Sequence, residues 1–202
     1  MRIVDIFDNA NIYKLFQFAI TSSNTSRVIR DEVLKPDHIN DVLDFGCGVG
    51  YHSLEFKDAN YLGIEPLTSC VQKAHKMYSS ANSRFILGDH RSLQEIPDSS
   101  FDLVIAIGVL HHVNDSIATA FIKESRRILR SGGRLATFDP VIHKNQSLTS
   151  KFIVKRDRGQ WVRQDSAYLS LVEESFNGKI TSKIYKRLLR IPYDHILIEI
   201  YK

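Results

Sequence analysis

The chain has 202 residues, 43% of them hydrophobic and 25% charged, with a formal net charge of +4. That composition excludes a disordered, fibrous or disulfide-stapled chain, and the length suits a single domain, since chains of roughly 150 residues already bury about 70% of their unfolded surface. The apolar runs 103–110 and 196–200 fall far short of the roughly 20 residues that cross a bilayer, so no membrane span is expected.

The first residues, Met1-Arg2-Ile3-Val4-Asp5, carry an early acid and no long apolar stretch. They do not read as a signal peptide, and a cytoplasmic location is the expectation. In that reducing setting Cys47 and Cys70 read as free thiols. Apolar residues at 12, 15, 16, 19 and 20 follow the spacing of an amphipathic helix. After a Ser/Thr/Asn cluster at 21–26, residues 28–34 read as a second helix stopped by Pro36. Strand-helix alternation then begins. Strands are predicted at 42–45, 61–65, 84–87, 101–107 and 134–138, with helices at 68–78 and from Asn114-Asp115 onward. Ile117, Phe121, Ile128 and Leu129 should line the buried side of that last helix and Gly132-Gly133 should end it. Such alternation with short loops implies a parallel sheet covered by helices on both faces.

Past Pro140 the pattern changes. Residues 141–164 are polar, basic and weakly periodic, and loops of about 24 residues in compact domains usually serve as lids or binding segments. A helix around 166–176 follows, then strands 179–188 and 195–201, which should pair antiparallel because the link between them is too short for a crossover. The expected layout is one domain: N-terminal helices (1–37), a core (38–140), a lid or substrate segment (141–178) and a closing hairpin (179–202). Charge divides along the same line. Residues 1–140 hold 15 Lys/Arg against 17 Asp/Glu, and residues 141–202 hold 12 against 6. The basic third fits an acidic acceptor, an anionic surface, nucleic acid, or simply a solvated face.

The strongest chemical signal is Val42-Leu43-Asp44-Phe45-Gly46-Cys47-Gly48-Val49-Gly50. Glycines at a strand end let backbone approach a ligand without a Cβ clash. A dinucleotide-binding loop spaces its glycines G-x-G-x-x-G, whereas these alternate as G-x-G-x-G behind an acid. Glu65 ends the next strand about 20 residues on, where an acid can accept hydrogen bonds from ribose hydroxyls. Asp89, in Gly88-Asp89-His90, suits an exocyclic amine or a plain turn. His111 and His112 follow the fourth strand, where an imidazole can act as a base near neutral pH. Two adjacent histidines make a weak metal site, and none is predicted.

The alternating glycine loop resembles the first motif of class I S-adenosylmethionine-dependent methyltransferases, and Phe101-Asp102-Leu103-Val104-Ile105-Ala106-Ile107-Gly108-Val109-Leu110-His111-His112 resembles the fourth-strand motif of the same superfamily. The resemblance implies a Rossmann-like, doubly wound α/β sheet of seven strands in three layers, mostly parallel with an antiparallel C-terminal strand. It also implies S-adenosyl-L-methionine as cofactor. Asp44 would help position its methionine part while Phe45, Gly46, Gly48 and Gly50 line it. Glu65 and Pro66 would sit at the ribose, Asp89 and His90 at adenine, and Ile107, Gly108 and His112 under the sulfonium. Segments 8–17, 145–147, 156–163 and 189–195 resemble a bacterial group of small methyltransferases of the methyltransferase-11 type, extending the similarity over nearly the whole chain. Two departures stand out: Phe45 occupies a place that more often holds a small or branched aliphatic residue, and few residues separate Gly50 from Tyr61, leaving a very short first helix.

The chemistry such a protein performs is an in-line displacement, for which holding a nucleophile about 3 to 3.5 Å from the methyl carbon supplies much of the acceleration. His111 and His112 are the candidate bases. Arg156, Arg158, Arg163 and Tyr193 are the candidate acceptor contacts, the guanidinium groups suiting a phosphate or carboxylate. The expected partner is a small-molecule acceptor, anionic or a glycan precursor, methylated at oxygen by a monomer or homodimer. Nucleic acid is disfavoured, because the fourth strand runs into Ile107-Gly108-Val109-Leu110 rather than the Asn/Asp-Pro-Pro-aromatic turn of enzymes that methylate base amines. A non-catalytic partner protein that keeps the fold and a nicotinamide oxidoreductase are the further alternatives.

Overall fold

The computed structural model describes residues 23–154 and 159–202. Alternating apolar runs assemble seven strands: β1 (Asp41–Phe45), β2 (Asn60–Glu65), β3 (Ser83–Leu87), β4 (Phe101–Ile107), β5 (Leu129–Pro140), β6 (Lys179–Tyr185) and β7 (His195–Tyr201). They form one sheet of order β3-β2-β1-β4-β5-β7-β6. The pairs along β3-β2-β1-β4-β5 are parallel, and β7 runs antiparallel to both β5 and β6. This is the doubly wound Rossmann-like α/β sheet expected from the sequence.

Because successive strand residues point to opposite faces, each strand feeds two cores. Leu43, Phe45, Val104 and Ala106 face helices α3 (Asp115–Ile128) and α5 (Asp165–Ser175), meeting Phe121, Ile122, Tyr168 and Val172. Val42, Leu103 and Ile105 face α2 (Thr68–Tyr78), meeting Val71 and Ala74, with Val33 and Leu34 beside them. Helix α1 (Ser23–Val28) continues as a π-helical segment, Ile29–Leu34, that ends at Lys35 with a left-handed backbone (φ 43°), just ahead of Pro36. Among the described residues no helix is long and apolar enough to cross a membrane.

Four expectations change. Helix already runs through the Ser/Thr/Asn cluster at 23–25, where Thr25 Oγ1 donates to the Leu188 carbonyl at 2.7 Å. Gly132-Gly133 do not end α3. That helix stops at Ile128 and Leu129 is already paired with Phe101, after which the register shifts and the glycines take up the bulge. Ile117 is only half-buried, and Ala118, Phe121, Ile122, Ser125 and Ile128 form the buried stripe instead. The described part of segment 141–164, expected as one long loop, holds helix α4 (Leu148–Val154), buries His143, Gln146 and Ser150, and bridges Ile142 to Gln164. The helix expected at 12–20 lies outside the described residues.

The Phe45 and Phe121 rings stack with centroids 4.5 Å apart. Phe121→Ala should therefore cost about 3–5 kcal/mol of stability, read by urea unfolding; a loss below about 1 kcal/mol would contradict this packing.

Candidate active site

The chain leaves β1 toward β2 on one side, and leaves β4 toward β5 on the other. Between two such strands no connection covers the carboxyl ends, which is where open α/β sheets bind ligands. The loop 46–50 follows β1, and Gly108 to His112 follow β4.

The glycines of this crevice are not equivalent. A Cβ at Gly46 would meet Val109 at 2.5 Å, and one at Gly50 would meet the Phe85 ring at 2.5 Å, so those two serve internal packing. Gly48 (φ +55°) has nothing within 4 Å of its Cβ position, and Gly108 (φ +69°) has only His111 Cε1 at 3.8 Å. Backbone is thus exposed to the crevice at 48 and 108, the places where a side chain would obstruct a ligand.

Glu65 ties the loop down. One carboxylate oxygen accepts the Gly48 N–H and the other the Leu67 N–H, each at 3.0 Å. Burial pushes its carboxyl above the usual carboxylate range, against those two hydrogen bonds that pull it down. The Gly88 N–H donates to the Glu65 carbonyl at 3.1 Å, bringing the end of β3 alongside. There a cleft of about 500 Å3 is lined by Pro66, Leu87, Gly88, Asp89, Arg91 and Ser92 among others.

Asp44 behaves differently from the expectation. Its carboxylate is 1% exposed, and one oxygen accepts from both the Tyr61 hydroxyl and His52 Nδ1, the latter at 3.3 Å. Burial, with the Asp44 charge next, drives the Tyr61 phenol well above its ordinary value. Asp44 therefore ties β1 to Tyr61 of β2 and to the half-buried His52. Phe45 departs further: its ring lies in the core against Phe121 rather than on a cofactor surface.

Asp89 is a turn residue in this geometry. It caps the 3-10 turn His90–Glu95, accepting the Arg91 N–H at 2.8 Å and gripping the Arg91 guanidinium at 2.6–3.1 Å. Those hydrogen bonds hold its carboxyl down to about 2. With His90 half-buried beside it, Asp89 still borders the cleft.

The two histidines diverge. His111 is buried, its Nδ1 2.8 Å from Asp139 Oδ1, and its backbone N–H reaches the same oxygen at 3.2 Å. His112 is exposed, with its ring centroid 3.9 Å from that of His111. Ile107, the last residue of β4, is half-buried, and the Gly108 N–H that follows it donates to the Phe138 carbonyl.

Arg163, an expected acceptor contact, is bonded within the protein. Its guanidinium donates to the Leu110, Trp161 and Val113 carbonyls and to Asp115, at 2.6–3.1 Å. Tyr193 is likewise buried, edge-on to His195 with centroids 5.1 Å apart. Arg156 and Arg158 lie outside the described residues. No group of three or more His, Cys, Asp or Glu suited to a metal occurs among the described residues, and Cys47 and Cys70 are free and buried. Sequence reasoning missed His52, Tyr61, Asp139 and the buried pair His143–Asp194 (3.0 Å). An imidazole two residues past the last glycine was a usable signal for His52; the others had none.

Residues 43–137 match the model of a family described as "Methyltransferase domain". The 27-O-demethylrifamycin SV methyltransferase of Amycolatopsis mediterranei is 34% identical over 104 residues, 48% of this chain and 38% of its own length. The tRNA U34 carboxymethyltransferase of Pseudoalteromonas translucida is 30% identical over 146 residues, 68% of this chain and 44% of its own length. A crystal structure of a SAM-dependent methyltransferase from Archaeoglobus fulgidus shares the fold, with a TM-score of 0.72 over 93% of this chain and 99% of that one, at 14% identity. The chain is thus similar to a methyltransferase domain over residues 43–137 and shares the fold of that Archaeoglobus fulgidus enzyme. It spans less than half the length of these curated relatives.

The glycine geometry separates fold from binding. Gly50→Ala should destabilise the protein, because the added carbon meets the Phe85 ring. Gly48→Ala should cost only about 1–2 kcal/mol of backbone strain, fold normally, and lose ligand binding in the crevice. Equal unfolding midpoints for the two variants would contradict this.

His195 is buried and stacked on Phe138, and burial pushes its imidazole down to about 4. A base depressed on folding stabilises the fold fully above its unfolded value near 6.5, and that contribution drains away as pH falls toward 4. The loss should reach about 3 kcal/mol. His195→Gln should flatten the stability profile between those pH values, as followed by urea midpoints.

Proposed function

We propose that this chain transfers a methyl group from S-adenosylmethionine to the oxygen of a small-molecule or glycan-precursor acceptor. The reading is carried by one observation: the unobstructed backbone at Gly48, at the sheet's switch point, held by the buried Glu65 carboxylate. The donor set suits the cofactor. Each Glu65 oxygen accepts one backbone N–H and keeps a lone pair for a ribose hydroxyl, and the cleft bordered by Pro66, Leu87 and Asp89 has apolar and polar walls that suit an adenine. His52, held by Asp44, stands at the edge of the glycine loop.

S-adenosylmethionine supplies an electrophilic methyl group on a sulfonium. The chain's part is to position the acceptor, exclude water and hold a proton. His111 and His112, at the end of β4, are the proposed bases. With Arg163 committed to the turn 110–113, an anionic acceptor would draw on Arg156 and Arg158.

A nucleic-acid acceptor is the second reading. The match to a tRNA carboxymethyltransferase over 68% of this chain favours it, and so does the basic third. Filter binding to tRNA at two salt concentrations separates the two readings, because phosphate contacts produce a steep salt dependence.

Calorimetry with S-adenosylmethionine and S-adenosylhomocysteine tests the shared premise. Micromolar-range binding is expected, weakened about 10- to 100-fold by Glu65→Ala through loss of hydrogen bonds to a charged group. Absence of binding by the unmodified chain would end the proposal. Labelled-methyl transfer to fractionated cell extract then identifies the acceptor.

A further inference from the structure

We propose that this chain docks on an anionic lipid surface through the segment that follows β5, with Leu148, Phe152 and Trp161 at the acyl boundary and Lys144 and Lys151 at the phosphate headgroups. The inference does not depend on the methyl-transfer reading.

The ends of segment 141–164 meet. Ile142 N–H donates to the Arg163 carbonyl at 3.0 Å, and Asp165 N–H donates to the Ile142 carbonyl at 3.1 Å. Between them runs an excursion that starts at the carboxyl end of β5 and adjoins the end of β4, where the Trp161 N–H donates to the His111 carbonyl at 3.0 Å. Helix α4 on this excursion has its polarity reversed. At about 100° per residue, Leu148 and Phe152 share one face while Ser150 and Val154 lie on the opposite one. Ser150 and Val154 are buried, whereas Leu148 is 84% and Phe152 59% exposed. A surface helix ordinarily turns its large apolar side chains inward. Trp161, 43% exposed, belongs to the same excursion, and its backbone is pinned at both ends because Arg163 also holds its carbonyl at 3.1 Å. Single exposed apolar residues are normal, but three large ones within residues 148–161 mark an interaction face.

The charge around this face selects the partner. Residues 141–164 carry six Lys/Arg against one Asp/Glu. Lys144 is exposed, and Lys151, one turn along from Leu148, is half-buried. The root of the excursion is joined to the link between β6 and β7, where Lys186 and Arg187 are exposed as well. There the Asp194 carboxylate meets the Arg187 N–H and His143 Nε2, each at 3.0 Å, and the Asp194 carbonyl accepts the Val141 N–H at 3.1 Å. A second copy of this chain would bring the same cations face to face. Nucleic acid is bound through phosphate contacts and aromatic stacking, which leave an exposed leucine unused. Apolar side chains flanked by lysines, whose stems lie along apolar surface while the ammonium reaches a phosphate, suit a bilayer interface with anionic headgroups.

Trp161 is the single tryptophan of the chain, so its fluorescence reports on this face alone. The full chain is titrated with phosphatidylcholine vesicles containing roughly one-third phosphatidylglycerol and with phosphatidylcholine vesicles alone, followed by sedimentation and emission. Binding to the anionic vesicles is expected, about tenfold or more tighter than to the neutral ones and weakened by salt. Trp161 emission should move to the blue and be quenched by lipids brominated on the acyl chain. Leu148→Asp should leave the urea unfolding midpoint unchanged, because the side chain is exposed, and weaken binding about tenfold or more. Lys144→Glu combined with Lys186→Glu should remove the preference for anionic vesicles. No binding by the unmodified chain, undiminished binding by Leu148→Asp, or binding with no change in Trp161 emission would each overturn the inference. So would a dimer in solution that Leu148→Asp converts to monomer, which assigns the face to a second copy. Should Leu148→Asp shift the unfolding midpoint, quenching of Trp161 by brominated lipid in the unmodified chain still decides. The vesicles carry neither cofactor nor acceptor, so the methyltransferase reading stands or falls separately, by calorimetry.

Discussion

A buried carboxylate holding two backbone N–H groups is the constraint around which the crevice is built. Glu65 ends β2, yet its oxygens are spent on Gly48 and Leu67, and its own carbonyl receives the N–H of Gly88. Three loops, after β1, β2 and β3, are thereby brought to one edge of the sheet. Removing a carboxylate from water costs several kcal/mol unless it is hydrogen-bonded, so the loops and the acid stabilise each other. The arrangement also explains why only Gly48 within the loop faces open space. Gly46 and Gly50 are pressed against Val109 and Phe85 by the same tie.

A second set of ties uses charge that looks available from the sequence. Part of the positive excess after residue 140 is bonded within the protein. Arg163 binds Asp115 and three carbonyls, Lys183 pairs with Glu32, and Lys202 donates to the Leu129 carbonyl. Arg134, buried in β5, donates to the Val33 and Leu34 carbonyls and fixes the π-helical segment against the sheet. Arg163 and Arg134 are therefore cations that the surface does not offer an anionic partner.

Where signals are local, prediction and structure agree closely. Residues 68–78 and 101–107 were legible in the sequence, because one carries a helical period and the other an apolar run, broken only by Asp102, that is closed by glycine. Failures occur where a residue's partner lies far along the chain. Gly132-Gly133 look like a helix stop, but Leu129 is claimed by Phe101 of the neighbouring strand. Residues 148–154 show little period of their own, and the helix there forms over buried Gln146 and Ser150, which bond each other at 2.8 Å. Arg163 reads as a free cation until Asp115, 48 residues earlier, is placed beside it.

Spacing alone determined the alternation of strands and helices and the glycine loop after the first strand, because strand period and turn glycines act over a few residues. Assigning a task to each side chain needed the tertiary structure. Asp44 went to Tyr61 and His52, Phe45 to the core, Asp89 to Arg91, and His111 to Asp139. A side chain's hydrogen-bond partner is settled by which strand lies next to it and at what register, and no local pattern encodes that distance.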